Sequence, residues 1–302
     1  MFVPYAKKLV CTAIACACVV GAAWAQGAAG GATWDTARIE KLTGLKGTFN
    51  KEENVFKVNF PRSDIKATVA GVKMNPDMGL GAWAAFTPVG AHTMVMGDIV
   101  LLEAEVNAVM SAALNSGLEV TALHNHFSWD TPRIMFMHIG GMGDEEKLAQ
   151  AVGQVFSKLK EVRDNKPAAP NALIDPAETS LDGKKIEQIL GTPGKLNNGV
   201  YKVVVGRTTQ MAGHEMGKEM GVNTWAAFAG SDNRAVVDGD FAMREDELQG
   251  VLKALRAANI NIVAIHNHMT NESPRIVFLH YWGVGPTAEL AKGVKTALDT
   301  QK

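Results

Sequence analysis

Apolar and polar residues follow an order along the chain that is typical of strands and short helices. Six segments of the first half alternate or run apolar between glycine, proline and asparagine. They predict β-strands over residues 55–60, 67–74, 83–87, 93–101, 120–126 and 134–138. Helical spacing predicts helices over residues 36–42, 103–115 and 144–162. Because the strands come in runs rather than alternating with helices, the pattern predicts an α+β fold with a mainly antiparallel sheet and flanking helices.

The second half of the chain repeats the first with a constant offset. Residues 83–138 align with residues 225–280 without a gap. The strongest pairs are Trp83/Trp225, Asp98/Asp240, Glu103/Glu245, His124/His266, His126/His268, Arg133/Arg275 and His138/His280. This period is too long for a solenoid and indicates two tandem copies, residues 34–163 and 181–300, which we expect to share one strand order and to be pseudo-twofold related. Residues 164–180 contain three prolines and are predicted to form a linker.

The start of the chain, residues 1–25, has the features of a signal peptide. Lys7 and Lys8 precede an apolar run over residues 9–23, and Ala23-Trp24-Ala25 fits the small-x-small rule for cleavage. The run is shorter than the roughly 20 apolar residues of a membrane anchor. We therefore expect residues 1–25 to be removed and the protein to be periplasmic or secreted, with no transmembrane segment after cleavage.

Cysteine content and charge narrow the chemistry. All three cysteines, Cys11, Cys16 and Cys18, lie in the predicted leader, so cleavage leaves no disulfide or thiolate ligand. A lipoprotein acylated at Cys16 or Cys18 is the alternative. The chain is 47% hydrophobic and 20% charged with a net charge of −1, as in ordinary soluble globular proteins. Cleavage of the leader would remove Lys7 and Lys8, two of the 30 basic residues, and no acidic residue. The remaining 28 basic and 31 acidic residues give a net charge of −3. Nucleic acid is not an expected partner, because there is no basic surplus for a phosphate backbone.

Six of the eight histidines form two identical clusters. In the second copy, His266 and His268 are two positions apart, so a strand places both imidazoles on one face. His280 joins them if the hairpin register sets His266 opposite Phe278, whereas a one-residue slip sends His280 to the other face. Three imidazoles at this spacing can chelate a divalent metal, zinc first and copper next. The corresponding residues of the first copy are His124, His126 and His138.

Acidic residues near the second cluster extend the candidate site. Glu245 begins the helix before the histidine strand, and Glu215 follows His214 in a pair that the first copy lacks. We treat Glu245 and Glu215 as candidate general bases and His214 as a further ligand, which favours the second copy as the active one. The alternative explanation is charge at a helix N-terminus for Glu245 and turn chemistry for Asp240.

Three further side chains suit ligand binding. Arg275 and Arg133 match carboxylate or phosphate groups, although a structural ion pair explains them equally well. Trp225 adds an aromatic surface. The fourteen methionines, Met137 and Met269 among them, allow copper ligation, but filling of the core explains methionine more often.

The motifs resemble those of the LppY/LpqO family of bacterial secreted proteins and lipoproteins. The resemblance rests on Asn223-Thr224-Trp225-Ala226-Ala227-Phe228, Val237-Asp238-Gly239-Asp240, His266-Asn267-His268-Met269 and Pro274-Arg275-Ile276-Val277-Phe278-Leu279-His280-Tyr281-Trp282. It covers both copies, and the second matches better because the first has Phe127-Ser128-Trp129-Asp130 after its histidines. It implies export and a duplicated domain of unknown function, and it assigns no catalytic residues.

Functions from three classes fit these residues. The first is an exported metal-binding protein, which could also be a metal-dependent hydrolase. His266, His268 and His280 would be its metal ligands, and Glu245 or Glu215 would be the general base. The second is a non-catalytic binding module, in which Arg275 and Trp225 hold an anionic small molecule or a ligand derived from the cell envelope. The third is a structural envelope protein in which the duplication only closes a sheet.

The leader generates the first prediction. We expect the exported protein to begin at Gln26, because the cleavage signal ends at Ala25. Intact-mass spectrometry of protein purified from the exporting cell measures this directly. A diacylglycerol adduct on Cys16 or Cys18 would establish the lipoprotein alternative, and a mass equal to the whole chain would contradict both.

Overall fold

A computed structural model describes residues 35–302, in which seventeen strands and six helices form. The strands of the first copy are β1 (Gly47–Asn50), β2 (Val55–Pro61), β3 (Thr68–Val69), β4 (Val72–Lys73), β5 (Gly81–Val89), β6 (His92–Leu102), β7 (Glu119–His124), β8 (Asp130–Thr131) and β9 (Ile134–Gly143). Those of the second copy are β10 (Gly194–Asn197), β11 (Val200–Gly206), β12 (Thr209–Met211), β13 (His214–Met216), β14 (Asn223–Gly230), β15 (Ala235–Arg244), β16 (Asn261–His266) and β17 (Ile276–Gly285). The helices are α1 (Thr36–Thr43), α2 (Val106–Asn115), α3 (Glu145–Asp164), α4 (Gly183–Leu190), α5 (Leu248–Ala257) and α6 (Thr287–Leu298).

Twelve of these strands form one continuous antiparallel sheet. Its order is β1-β2-β5-β6-β9-β7 from the first copy, followed by β16-β17-β15-β14-β11-β10 from the second. Each copy therefore contributes the same strand order, as expected from the repeat, and the copies meet where Leu123 of β7 lies opposite Ile265 of β16. The expected α+β fold with a mainly antiparallel sheet and flanking helices is confirmed.

The helices cover one face of this sheet. Gly141 lies against Leu148 of α3, and Gly283 lies against Leu290 of α6. Phe241 and Leu279, which are paired across β15 and β17, are fully buried on this side. The other side of the sheet, which the helices leave uncovered and which we call the open face, carries alternate residues of the same strands.

A β-bulge interrupts the alternation in the histidine strand of each copy. In β16 the pairing is Ile262 opposite Tyr281 and then Ala264 opposite His280, so Val263 is the extra residue. Strict alternation along the strand would place Val263 with Ile265 on the buried aliphatic face, but its side chain is 47% exposed. The register of β7 shifts in the same way, between Val120 and Ala122.

Each bulge is held by an amide side chain from the other copy. Asn107 of α2 accepts a hydrogen bond from the backbone N of Ile262 at 2.8 Å and donates to its carbonyl at 3.2 Å. Gln249 of α5 accepts from the backbone N of Val120 at 3.0 Å and donates to its carbonyl at 2.9 Å. Each amide thus binds the paired strand residue next to the bulge, and gives its backbone groups a partner across the boundary between the copies.

An ion pair with a buried glutamate stands at the start of the helix that carries each of these amides. Nη1 of Arg62 is 2.9 Å from Oε2 of Glu105, and both side chains are fully buried. In the second copy Nη2 of Arg207 is 2.8 Å from Oε2 of Glu247. Separating a buried ion pair costs free energy, because it leaves an uncompensated charge in the interior. The two side chains are therefore held in one position.

Other sequence predictions differ from the structure in detail. The predicted strand over residues 67–74 is two short strands, β3 and β4, because Ala70 and Gly71 adopt positive φ angles of 48° and 84° between them. The predicted strand over residues 120–126 ends at His124. The predicted linker, residues 164–180, contains one 3₁₀ turn at Pro176–Glu178.

The predicted leader, residues 1–25, lies outside the described residues, and the boundaries 34–163 and 181–300 stay predictions. Among residues 35–302, no helix combines the length and the apolar character needed to cross a membrane.

The amide contacts generate the second prediction. Replacing Gln249 or Asn107 with alanine should lower the free energy of unfolding by about 1–3 kcal/mol, because a buried backbone N–H and C=O lose their partners. Urea denaturation measures the change. Lys253→Ala on the exposed side of α5 is the control, with an expected change within about 0.5 kcal/mol. Equal stabilities of Gln249→Ala and Lys253→Ala would refute the role of the amide.

Candidate metal centre

Strand register brings Asp240 and two histidines of the second copy, His266 and His280, to one face of the sheet. Asp240 of β15 lies directly opposite His280 of β17. His266 of β16 lies opposite Phe278, two positions before His280 on β17. Side chains of paired residues share a face, so Asp240, His266 and His280 all lie on the open face. The register that the three-histidine hypothesis required, with His266 opposite Phe278, is confirmed.

His268 reaches the same place from the loop after β16. Its ring stacks on Phe278, with 3.5 Å between centroids and 9° between planes. Nε2 of His268 is 3.1 Å from Nε2 of His266 and 3.3 Å from Oδ2 of Asp240. One ligand atom from each of Asp240, His266 and His268 lies within 4.8 Å of the others, so this group can hold a metal ion.

The spacing and the donor atoms of this group fit a metal ion. Two ligand atoms that are each about 2.0–2.1 Å from a tetrahedral zinc ion lie about 3.3 Å apart, close to the separations of 3.1 and 3.3 Å observed here. Oδ1 of Asp240 is buried without a hydrogen-bond partner among the described residues, as is Oδ1 of Asp98 in the first copy. A buried polar atom without a partner is costly, which favours a ligand at this position.

His280 lies beside the group rather than in it. Its Nδ1 is 4.0 Å from Oδ1 of Asp240, and its ring stacks on that of His266 with 4.5 Å between centroids. The cross-strand position places His280 next to the carboxylate of Asp240, but the His280 ring stacks on the His266 ring instead of joining the group. The carboxylate of Asp240 is therefore the third member of the group. The turn explanation for Asp240 was wrong, since this residue lies inside β15 and is 4% exposed.

Burial controls the charge states of this group. It lowers the pKa of His266 to about 4, with a smaller effect from the positive charges of His280 and His268. It raises the pKa of Asp240, while His280 and His268 oppose this change. Burial likewise raises the pKa of Asp238, two positions before. His266 is thus neutral near pH 7, which is the form that ligates a metal.

The first copy uses the same scaffold with different contacts. Asp98 lies opposite His138, whose Nε2 is 3.0 Å from Nε2 of His124. The ring of His126 stacks on Phe136 with 3.3 Å between centroids. Burial raises the pKa of Asp98 and lowers that of His126. Within residues 35–302, the group around Asp240 alone brings three ligand atoms within 4.8 Å of one another.

The pair that appeared to distinguish the second copy does not join this group. His214 and Glu215 are exposed on β13, where they lie opposite Met211 and Gln210 of β12. The neighbouring Met216 packs against the apolar cluster that contains Phe278. The β12–β13 hairpin therefore places an apolar side chain, Met216, against the cluster on which the His268 ring also stacks.

The methionines near the histidine clusters act as apolar packing. Met269 packs on the cluster formed by Val222, Ala242, Ile276 and Phe278. Met137 is fully buried on the helix side of the sheet. The predicted copper ligation by these two residues has no support in this geometry, since both side chains pack against apolar residues.

The aromatic and basic candidates lie around the group. Trp225 is opposite Asp240 on the open face, with Nζ of Lys202 4.0 Å from the centroid of its ring. Arg275 is exposed, as is Arg133 in the first copy. The nearest carboxylate to Arg275 is Glu245, whose Oε1 is 4.0 Å from Nη1.

A cavity of about 440 Å³ opens beside His266 at the boundary between the copies. Its walls include Glu245 and Arg275 from the second copy and Glu119 from the first. The structure thus brings three predicted site residues, His266, Glu245 and Arg275, to one cavity. His214, Glu215 and Trp225 do not line it.

Sequence reasoning undervalued Asp240 because glycine and aspartate together are typical of a turn. The signal that could have found it was the recurrence of Gly97-Asp98 as Gly239-Asp240 inside an apolar segment. Gly239 has a packing reason: an added Cβ would lie 2.2 Å from the Tyr281 ring. The glycine therefore marks close packing in a strand, and Asp240 next to it points to the open face.

The lowered pKa of His266 generates the third prediction. In the metal-free protein its imidazole should titrate at about pH 4 rather than near the 6.5 of an unperturbed histidine. Because the unfolded chain binds this proton more tightly, the residue should destabilise the fold as the pH falls from about 6.5 to about 4 and have no such effect above that window. NMR titration of the ring signals, assigned with His266→Asn, measures it. A midpoint near 6.5 would contradict the burial argument.

Comparison with known proteins places the chain in a family. The model described as "Domain of Unknown Function (DUF1259)" matches residues 37–158 and again residues 184–300. A comparison with curated proteins finds no match. A trimeric bacterial microcompartment shell protein, PduB, matches over 84% of this chain and 89% of that chain at 12% identity, but its TM-score of 0.19 carries no argument. The two matched segments span well over half of the chain, which therefore belongs to the family Domain of Unknown Function (DUF1259) and contains that domain twice.

Proposed function

We propose that this protein is an exported metal-binding protein, and that Asp240, His266 and His268 hold a divalent ion. The observation that carries the proposal is the convergence of two imidazole nitrogens and one carboxylate oxygen within 4.8 Å. Export to the periplasm or the medium is proposed from residues 1–25 of the sequence alone. The finer resemblance to the LppY/LpqO secreted proteins and lipoproteins agrees with that location.

Zinc is the first candidate for the ion. Two imidazoles and one carboxylate are a common ligand set of zinc sites that keep a fourth position open for water or substrate. The same set also suits iron(II), and copper is the next candidate from the sequence. Because no cysteine lies outside residues 1–25, thiolate ligation does not compete with these donors.

The two copies are proposed to be related by a pseudo-twofold axis that passes between β7 and β16. The mirrored strand order of the sheet supports this arrangement. The reciprocal contacts of Asn107 and Gln249 support it independently, because each amide binds the equivalent residue of the other copy. One metal site would then lie on each side of the axis, with the second copy as the stronger one.

A metal-dependent hydrolase is the second candidate function, and the cavity beside His266 favours it. Of the metal-binding group, only His266 lines this space of about 440 Å³, which lies on the α5 side of the sheet and also holds Glu245, a candidate base. Because Glu119, Glu245 and Asp246 face only Arg275 there, the cavity favours a ligand with hydroxyl or cationic groups over a purely anionic one. Loss of turnover in Glu245→Gln with unchanged metal content, on a panel of neutral and cationic ester substrates, would support this candidate.

Metal affinity is the fourth prediction. Asp240→Asn and His266→Ala should each lower zinc affinity at least about 100-fold, since loss of a ligand costs more than the roughly 10–100-fold typical of its outer partners. Equilibrium dialysis of the untagged protein, followed by elemental analysis, measures affinity and stoichiometry. Glu245→Gln and His214→Ala are matched controls that should change the affinity less than about threefold.

Three outcomes of that experiment would contradict the assignment in different ways. Full affinity in Asp240→Asn with a loss in His280→Ala would replace the carboxylate by the third histidine. A loss confined to Asp98→Asn would move the site to the first copy. If the wild type binds no zinc, iron, manganese or copper, the metal hypothesis is wrong. The cavity would then be a binding site for an organic ligand.

A further inference from the structure

A stripe of sulfur side chains lies on the open face of the first copy, outside the histidine clusters. Along β6, His92, Met94 and Met96 alternate on the same face as Asp98. Met142 of β9 lies directly opposite Met94. Three thioethers and one imidazole thus occupy neighbouring positions on two paired strands.

These methionines do not fill the interior. The side chains of Met96 and Met142 are 58% and 59% exposed, and Met94 is half-buried. At the equivalent positions the second copy has Val236, Asp238 and Val284. The scaffold therefore tolerates other residues at these positions, and packing does not require methionine there.

The backbone geometry allows the three sulfurs to meet. Directly opposite residues have Cβ atoms about 4.5–5.5 Å apart, and diagonal neighbours are about 7–8 Å apart. Methionine is unbranched with three rotatable bonds, so its sulfur can cover these distances. Gly140, opposite Met96, leaves the space above the strand open, because an added Cβ would meet no atom closer than 3.8 Å. In the second copy Trp282 stands at that position.

The surroundings of the stripe suit a weakly hydrated ion. Met94 and Met96, but not Met142 or His92, border a cavity of about 360 Å³ whose walls also include Trp83, Lys57 and Glu53. Nζ of Lys57 is 4.1 Å from the centroid of the Trp83 ring, so this cation is held by the aromatic face. Soft thioether ligands select copper(I) over zinc, magnesium and calcium.

We propose that Met94, Met96 and Met142 form a copper(I) site, with His92 as a fourth ligand. The ion would be bound without a change of oxidation state, in exchange for its ligands in solution. The site is separate from the group around Asp240 and does not depend on metal binding there, because it uses other residues and a softer set of donor atoms.

The test compares copper(I) affinities without oxygen, using a chromogenic copper(I) chelator as competitor. All proteins carry Cys11→Ser, Cys16→Ser and Cys18→Ser, so that no thiol competes even where the leader is retained. The triple variant Met94→Leu, Met96→Leu, Met142→Leu keeps apolar side chains of similar size. The control variant Met78→Leu, Met220→Leu replaces exposed methionines elsewhere, which are 44% and 65% exposed.

We expect the triple variant to lose at least about 100-fold in copper(I) affinity, because three ligands are removed together. The control variant should match the protein with native methionines, and X-ray absorption of that protein should show sulfur ligands to copper. Zinc affinity of the triple variant should be unchanged, which also reports that it is folded. Equal copper(I) affinity in the triple variant and the control, or an absorption spectrum with only nitrogen and oxygen ligands, would overturn the proposal.

Discussion

The position of the metal-binding histidines depends on a β-bulge, which adds one residue to the histidine strand of each copy. If the pairing of Ile262 with Tyr281 continued without a shift, His266 would lie opposite Val277 and face the helices. The bulge at Val263 moves the register by one, so that His266 lies opposite Phe278 on the open face. A neutral or charged imidazole enclosed by the aliphatic core would have no partner, whereas on the open face it meets Asp240 and His268.

The duplication contributes directly to this register. The groups that hold the bulge of β16 belong to Asn107 in the first copy, and those that hold the bulge of β7 belong to Gln249 in the second. Ion pairs at the start of α2 and α5, the first fully buried and the second with a half-buried arginine, hold both amides in position. The histidine geometry of one copy therefore relies on a side chain of the other, and a single copy would leave backbone groups at its bulge without partners.

Much of this arrangement could be predicted from the sequence, and the exceptions have physical causes. The constant offset between the copies predicts the shared strand order, and the alternation of apolar residues predicts the strands. The sequence left the hairpin register open, and the structure sets His266 opposite Phe278. A period of two cannot reveal a bulge, because the extra residue looks like one more strand position, and strict alternation would place Val263 in the core. His268 lies beyond the end of its strand, where stacking on Phe278 rather than alternation sets its direction.

The two faces of the sheet differ in how freely their residues can change. On the helix side, Gly141 and Gly283 occupy equivalent positions against leucines of α3 and α6, and a larger side chain would displace those helices. On the open face the equivalent positions hold Met96 in one copy and Asp238 in the other, with no change in strand order. One scaffold can therefore present hard oxygen and nitrogen donors on one copy and soft sulfur donors on the other. Because the helix side fixes the backbone, differences between the ligand sets of the two copies follow from open-face residues alone.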